Sequence, residues 1–188
     1  QWFIDSCKKI KYMFPKAHAA AYVTAALRIG YFKVYYPLAY YAAHFSVRAE
    51  ELDAAPLVKG EEGIVNKMKE LSQRPDVTTR FEKEYTHLEV AYEMVLRGYG
   101  FLAPDLYKSD ATKFLPEGDN LRLPFTSVAG LGLSAAESIV EARKEAPFRT
   151  IDDLTERTRL NGTLLEKLAE LGTLAGMPQS DQISLFDL

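Results

Sequence analysis

Residues 128–140, Val128-Ala-Gly-Leu-Gly-Leu-Ser-Ala-Ala-Glu-Ser-Ile-Val140, hold a leucine between two glycines and then begin a helical pattern. Glycine permits a left-handed backbone and lets the chain approach a ligand with no side chain in the way. A helix that opens directly after such a turn aims its first amides, and the positive end of its dipole, at whatever lies in front. Together these features read as the hairpin of a helix-hairpin-helix motif, with Gly130, Leu131, Gly132 and Ser134 facing a phosphate of the DNA backbone. Backbone donors recognise phosphate and not base edges, so contacts of this kind are indifferent to sequence. A glycine-rich connection between two packed helices would carry the same residues, and the stretch alone leaves that alternative open.

A second copy favours the motif. Leu160-Asn-Gly162 precedes another apolar-patterned helix, so that Gly-Leu-Gly followed by Leu133–Arg143 echoes Leu-Asn-Gly followed by Thr163–Leu171. Asn161 and Gly162 are its candidate backbone contacts, although the double glycine of the first hairpin is missing. Short helices are expected over Ser134–Lys144, Ile151–Thr158 and Gly162–Leu171. Arg143, Lys144 and Lys167 read first as solvated surface charge.

Working upstream, residues 101–125 change character. Asp105–Ser109, Thr112–Leu115 and Leu121–Phe125 read as short strands about a turn at Glu117-Gly-Asp-Asn120. Before them lie helical patterns: one ending at the Phe14-Pro15 break, one from Lys16 to about Tyr35, and a short aromatic helix from Leu38 to Phe45. A further amphipathic helix is expected between Leu57 and Leu71, striped by Ile64, Val65, Met68 and Leu71, and another from Thr79 to Arg97, closed by Gly98. The predicted fold is mostly α with a small β-hairpin excursion. Its expected divisions are a helical segment over 1–100, a β-containing connector over 101–125, a tandem helix-hairpin-helix region over 126–177 and a flexible terminal peptide over 178–188.

Composition bounds the function. At 188 residues and 47% apolar content the chain is long enough to bury a core. No apolar run reaches the roughly 20 residues that a membrane-spanning helix needs, so no membrane partner is expected. One cysteine excludes an internal disulfide, and three scattered histidines supply no zinc-ligand spacing, which together favour a reducing, cytoplasmic setting. Residues 1–48 carry seven Lys/Arg against Asp5 alone; since the chain nets −3, residues 49–188 net −9. Such segregation suggests that the opening segment faces phosphates. The chain begins Gln-Trp-Phe-Ile-Asp, without an initiating Met, and reads as a piece of something longer.

Within the basic opening, Lys8 and Lys9 share one helical turn, and Lys16 and His18 sit at the start of the next helix with Tyr22 one turn on. This is a possible cradle for a triphosphate or a template-primer phosphate; a lysine-rich wet face and a packing tyrosine would look the same. At the other end, Met177-Pro-Gln-Ser-Asp-Gln-Ile-Ser-Leu-Phe-Asp-Leu188 places apolar residues in a polar tail. An apolar pair beyond the last helix calls for a groove on another protein, with Gln182 at the rim and Ile183, Leu185 and Phe186 as anchors.

Taken together, Asp5–Val23 (DSCKKIKYMFPKAHAAAYV), Tyr31–Glu50 (YFKVYYPLAYYAAHFSVRAE), Asp105–Phe114 (DLYKSDATKF), the VAGLG hairpin and the QISLF tail resemble the C-terminal part of the PolC-type alpha subunit of bacterial DNA polymerase III. The resemblance covers essentially the whole chain. It implies the end of a polymerase fingers domain, a tandem helix-hairpin-helix that holds duplex DNA, and a peptide that binds the β sliding clamp. It further implies template-directed DNA synthesis from deoxynucleoside triphosphates in a bacterial replisome, with Mg2+ held by a palm domain. No paired-aspartate motif of that kind occurs here, so this chain by itself is expected to be inactive and to bind no cofactor. Lys8, Lys9, Lys16, His18 and Tyr22 become nucleotide- or template-primer-side candidates by the same resemblance. A second class of function stays open: a non-catalytic adaptor bridging duplex DNA to the clamp. A repair nuclease component is a third, and it would need an acidic metal site.

Overall fold

The computed structural model describes residues 1–9, 15–49, 52–74 and 79–180. The chain divides into two compact units, 1–40 and 41–188. In the first, α1 (Trp2–Lys9) and α2 (Lys16–Tyr35) have no buried residue. Pro15 stands just outside α2 as its N-cap, with φ −61° and ψ 134°, and not in the first turn. Apolar side chains are distributed around α2, and Tyr22, Val23, Leu27, Ile29, Tyr31 and Phe32 are each more than half exposed. Tyr31 meets Tyr35 one turn away, with ring centroids 4.6 Å apart.

The helix α3 (Pro37–Arg48) carries the division, and its Tyr41, Ala42 and Phe45 enter the core of the second unit. Phe45 lies 5.6 Å from Phe101 and 5.4 Å from Phe114 between ring centroids. The expected 57–71 helix is in fact two, α4 (Ala54–Val58) and α5 (Gly60–Ser72). The chain turns between them at Gly60, whose φ of +65° other residues rarely adopt. Asp53 starts α4 by accepting the Ala55 amide at 3.1 Å. The two helices approach so closely that a Cβ on Gly63 would strike the Pro56 carbonyl oxygen.

Helix α6 (Thr79–Leu96) ends as its sequence predicts. Gly98 takes φ +89°, its amide bonds the Val95 carbonyl at 2.9 Å, and the Tyr99 amide bonds that of Met94 at 3.3 Å, the Schellman arrangement. Three strands follow: β1 (Gly100–Leu102), β2 (Leu115–Glu117) and β3 (Asn120–Arg122), in the order β1-β3-β2. The β2–β3 hairpin around Gly118 was expected; the parallel β1–β3 pairing, which puts Phe101 beside Leu121, was not. Nor are Asp105–Ser109 and Thr112–Phe114 strands. Asp105 accepts the amides of Tyr107 and Lys108 at 2.8 and 2.9 Å, and Asp110 accepts those of Thr112 and Lys113 at 2.9 Å. Side chains that satisfy nearby amides in this way compete with a strand ladder and make turns.

A 3-10 turn (Phe125–Ser127) leads to α7 (Leu133–Glu145), α8 (Ile151–Arg157) and α9 (Gly162–Glu170). Their core gathers Leu131, Ile139, Leu154, Leu160 and Leu168, and it includes Leu106 from the connector. Polar ties join the same parts. Arg143 of α7 donates to the carbonyls of Leu106 and Ser109 at 2.9 and 2.7 Å, and Thr173 donates to that of Pro104 at 2.8 Å. The tail expected to be free from residue 178 is held at its root: the amides of Ile151 and Asp152 bond the carbonyls of Pro178 and Gln179 at 3.0 and 3.1 Å.

Glu117 is the electrostatic centre of the connector. Arg122 grips both carboxylate oxygens at 2.9 Å and Lys108 adds a contact at 2.8 Å, which hold its carboxyl at about 2. Because the folded value lies below the ordinary 4.5, the stabilisation is present above that value and is lost as pH falls toward about 2. In urea unfolding followed from neutral pH downward, the Glu117→Gln variant is expected to start less stable than the parent and to converge with it in acid.

Candidate nucleic-acid interface

The first hairpin is built by one turn. The Leu131 amide donates to the Val128 carbonyl at 2.9 Å, and Gly130, third of the four residues, has φ +85°, which is the type II requirement for glycine. Leu131 is 3% exposed and anchors the turn in the core. Its amide closes the turn, so it positions the neighbouring donors. Gly132 is the N-cap of α7, with an extended backbone (φ −73°, ψ 164°) and open space where a Cβ would stand. Neither conformation nor packing within the chain requires glycine there. The amides of Gly130, Gly132, Leu133 and Ser134 have no acceptor among the described residues. This exposed row of donors ends at the start of a helix of 13 residues, and it is suited to an anion.

The second hairpin is not a copy of the first. Asn161 is the N-cap of α9, its side chain accepting the Leu164 amide at 3.0 Å, and Gly162 is the first helical residue. Aligning the two N-caps matches Leu160, 5% exposed, with Leu131, and places Arg159 where the first hairpin has Gly130. Arg159 has no positive φ, so glycine is not needed. The hairpins also hold each other through matching positions. Lys167, six residues after Asn161, donates to the Ala129 carbonyl at 2.6 Å. Ser138, six residues after Gly132, accepts the Arg159 amide at 3.0 Å, and Ser134 accepts from the Arg159 guanidinium.

Of the basic side chains weighed from sequence, Arg143 is a strut to the connector, and Lys144 pairs with Glu141 at 2.6 Å. The turn position of Arg159 is set by the N-caps Gly132 and Asn161 and has no signal in the local sequence. A cleft beside the first hairpin, lined by Asp53, Lys59, Lys167 and Glu170 among others, mixes both signs and has no evident preference for an anion.

In the first unit, Lys8 and Lys9 end α1, and Lys16 opens α2, all exposed. His18 and Tyr22 meet edge to face at 4.5 Å. Residues 10–14, between the two helices, lie outside the described residues, as do the clamp candidates Gln182, Ile183, Leu185 and Phe186. Among the described residues, no group of three or more His, Cys, Asp or Glu could hold a metal ion, and no helix is long and apolar enough to cross a membrane.

Residues 98–182 match the helix-hairpin-helix motif. Over 186 residues, 99% of the chain, it is 50% identical to the DNA polymerase III PolC-type of Thermotoga maritima, of which it spans 14%. It is also 50% identical to that of Halalkalibacterium halodurans and 47% identical to that of Pediococcus pentosaceus, spanning 98% of this chain and 13% of each of those proteins. The chain is therefore homologous to the C-terminal part of PolC-type DNA polymerase III, about 14% of its length, and carries a helix-hairpin-helix motif.

Proposed function

We propose that this chain belongs to a replicative DNA polymerase of the bacterial cytoplasm and there holds duplex DNA, contributes to the nucleotide or template-primer site, and attaches the enzyme to the sliding clamp. The observation that carries the reading is the row of unpaired amides over Gly130, Gly132, Leu133 and Ser134 on an exposed glycine turn. Gly130 has a conformational reason to be glycine and Gly132 has none. A surface kept bare of side chain beside open donors is what a phosphate needs in order to come close. On this reading Asn161 and Gly162 offer a second, weaker contact along the same duplex.

The first unit supports a nucleotide-side role for Lys8, Lys9, Lys16, His18 and Tyr22. Helix α2 has no side-chain cap and no acid in its first turn, and it starts with Lys16. Cation and helix dipole repel each other there, and a bound anion would relieve both. A helix apolar on every side is normally enclosed by protein, so the remainder of the polymerase is the natural cover for α2. Metal-assisted phosphoryl transfer from dNTP, with its Mg2+, is assigned to parts of the polymerase outside this chain. The divisions 1–100, 101–125, 126–177 and 178–188 serve here as fingers segment, connector, duplex-holding region and clamp peptide.

Three experiments on the complete polymerase test these roles. Gly132→Val places a side chain in open space on an ordinary backbone, so it is expected to leave the melting temperature unchanged and to weaken salt-sensitive, sequence-neutral duplex binding roughly tenfold, the equivalent of one or two lost hydrogen bonds; parental affinity would remove the hairpin from the interface. Lys16→Ala should raise the KM for dNTP roughly tenfold, as expected for one lost charge-assisted contact, and an unchanged KM and kcat would end the nucleotide role. Deleting residues 182–188 should abolish processive synthesis on clamped DNA and spare short extension without the clamp, whereas loss of both would show that the tail supports the fold.

A further inference from the structure

Arg159 occupies the turn position that Gly130 has in the first hairpin, yet its side chain serves the first hairpin and not its own. Its amide donates to Ser138 at 3.0 Å and its Nη1 donates to Ser134, both on α7. Ser134 is the second residue of that helix, immediately after the donor row of Gly132 and Leu133. The guanidinium is exposed and, apart from the bond to Ser134, has no acceptor among the described residues. A cation pinned at one nitrogen beside unpaired amides has already lost much of the rotamer freedom that an arginine gives up on binding, so a phosphate can be gripped at smaller entropic cost.

We propose that Arg159 is a duplex-backbone contact, supplied by the second hairpin and held over the first by Ser134 and Ser138, so that one phosphate is shared between the two hairpins. This rests on the duplex-holding reading above and extends it. The tandem arrangement acquires a specific purpose: the first hairpin supplies neutral donors and the second supplies the charge. The matching contact on the other side, Lys167 to the Ala129 carbonyl at 2.6 Å, holds the turn that presents those donors.

Salt dependence of duplex binding by the complete polymerase separates this role from bracing. Each phosphate neutralised by a cation contributes a slope of about 0.9 to the fall of log affinity with log salt. Arg159→Gln, which removes the charge from an exposed side chain, should make that slope shallower by about 0.9 with no change in melting temperature. Arg159→Lys should keep the slope. Ser138→Ala, which frees the backbone of the second hairpin but leaves the charge in place, should lower affinity and preserve the slope. An unchanged slope in Arg159→Gln overturns the proposal. If Gly132→Val weakens binding while Arg159→Gln does not alter the slope, the first hairpin binds DNA without Arg159; if neither variant has an effect, the duplex-holding reading fails as well.

Discussion

The last carbonyls of a helix have no partner within it, and in α7 they are met by an arginine from the next helix. Nη2 of Arg157 donates to the Ala146 carbonyl at 2.8 Å and also to that of Ala142, while its guanidinium lies 4.8 Å from the Phe148 ring centroid and its Nη1 pairs with Asp153 at 3.3 Å. The positive group also sits at the negative end of the α7 dipole. One side chain therefore fixes the angle between α7 and α8. The hairpins depend on that angle, since α8 delivers Arg159 to the other end of α7. With its C-terminal end held by Arg157 and its last turn tied to the connector by Arg143, α7 is the member to which both hairpins are referred.

Pseudo-symmetry in this region is a matter of position more than of residue type. The buried leucines Leu131 and Leu160 match, and Ile139 and Leu168 match about two turns further on. What differs is the polar chemistry of the turns. A positive φ at Gly130 lets successive amides face outward, whereas the ordinary backbone at Arg159 permits a long side chain. An isolated hairpin of either kind would be incomplete: amides attract an anion weakly in water, and an unrestrained arginine loses much entropy on binding. Placing each beside the other removes part of both deficits.

Local chemistry made much of this fold readable in the sequence. Gly98 ends α6, Gly118 turns the β2–β3 hairpin and Asn161 starts α9, each through partners no more than seven residues apart. The errors fall where the deciding partner is distant or the segment is short. Nothing near Gly60 shows that α4 and α5 must separate, because the separation serves close packing of Gly63 on Pro56. Strand β1 has three residues, too few to display an alternation. Arg143 reads as surface charge until the carbonyls of Leu106 and Ser109, 37 and 34 residues away, are brought beneath it. Aspartates 105 and 110 were readable as turn formers, and the apolar residues around them suggested strands instead.

A net charge of −9 over residues 49–188 is a poor match to a polyanion and constrains how the hairpins can work. Some of the acid is paired internally, Glu117 with Arg122 and Lys108, Asp153 with Arg157 and the Arg149 amide, and Glu141 with Lys144, and the excess of nine negative charges is left over after every Lys and Arg is counted. What remains repels DNA at long range, so few phosphate contacts in this region would give weak binding in isolation. The design is suited to avidity, in which several weak attachments raise one another's effective concentration when geometry lets them engage together. The root of the tail bears on that condition. Pro178 and Gln179 are bonded to the start of α8, and the Gln179 side chain donates to Asp152 at 3.0 Å. Because α8 also carries Arg157 and leads into Arg159, the segment that precedes the proposed clamp peptide is attached to the same short helix that orients both hairpins, so its root is fixed relative to the proposed duplex contact.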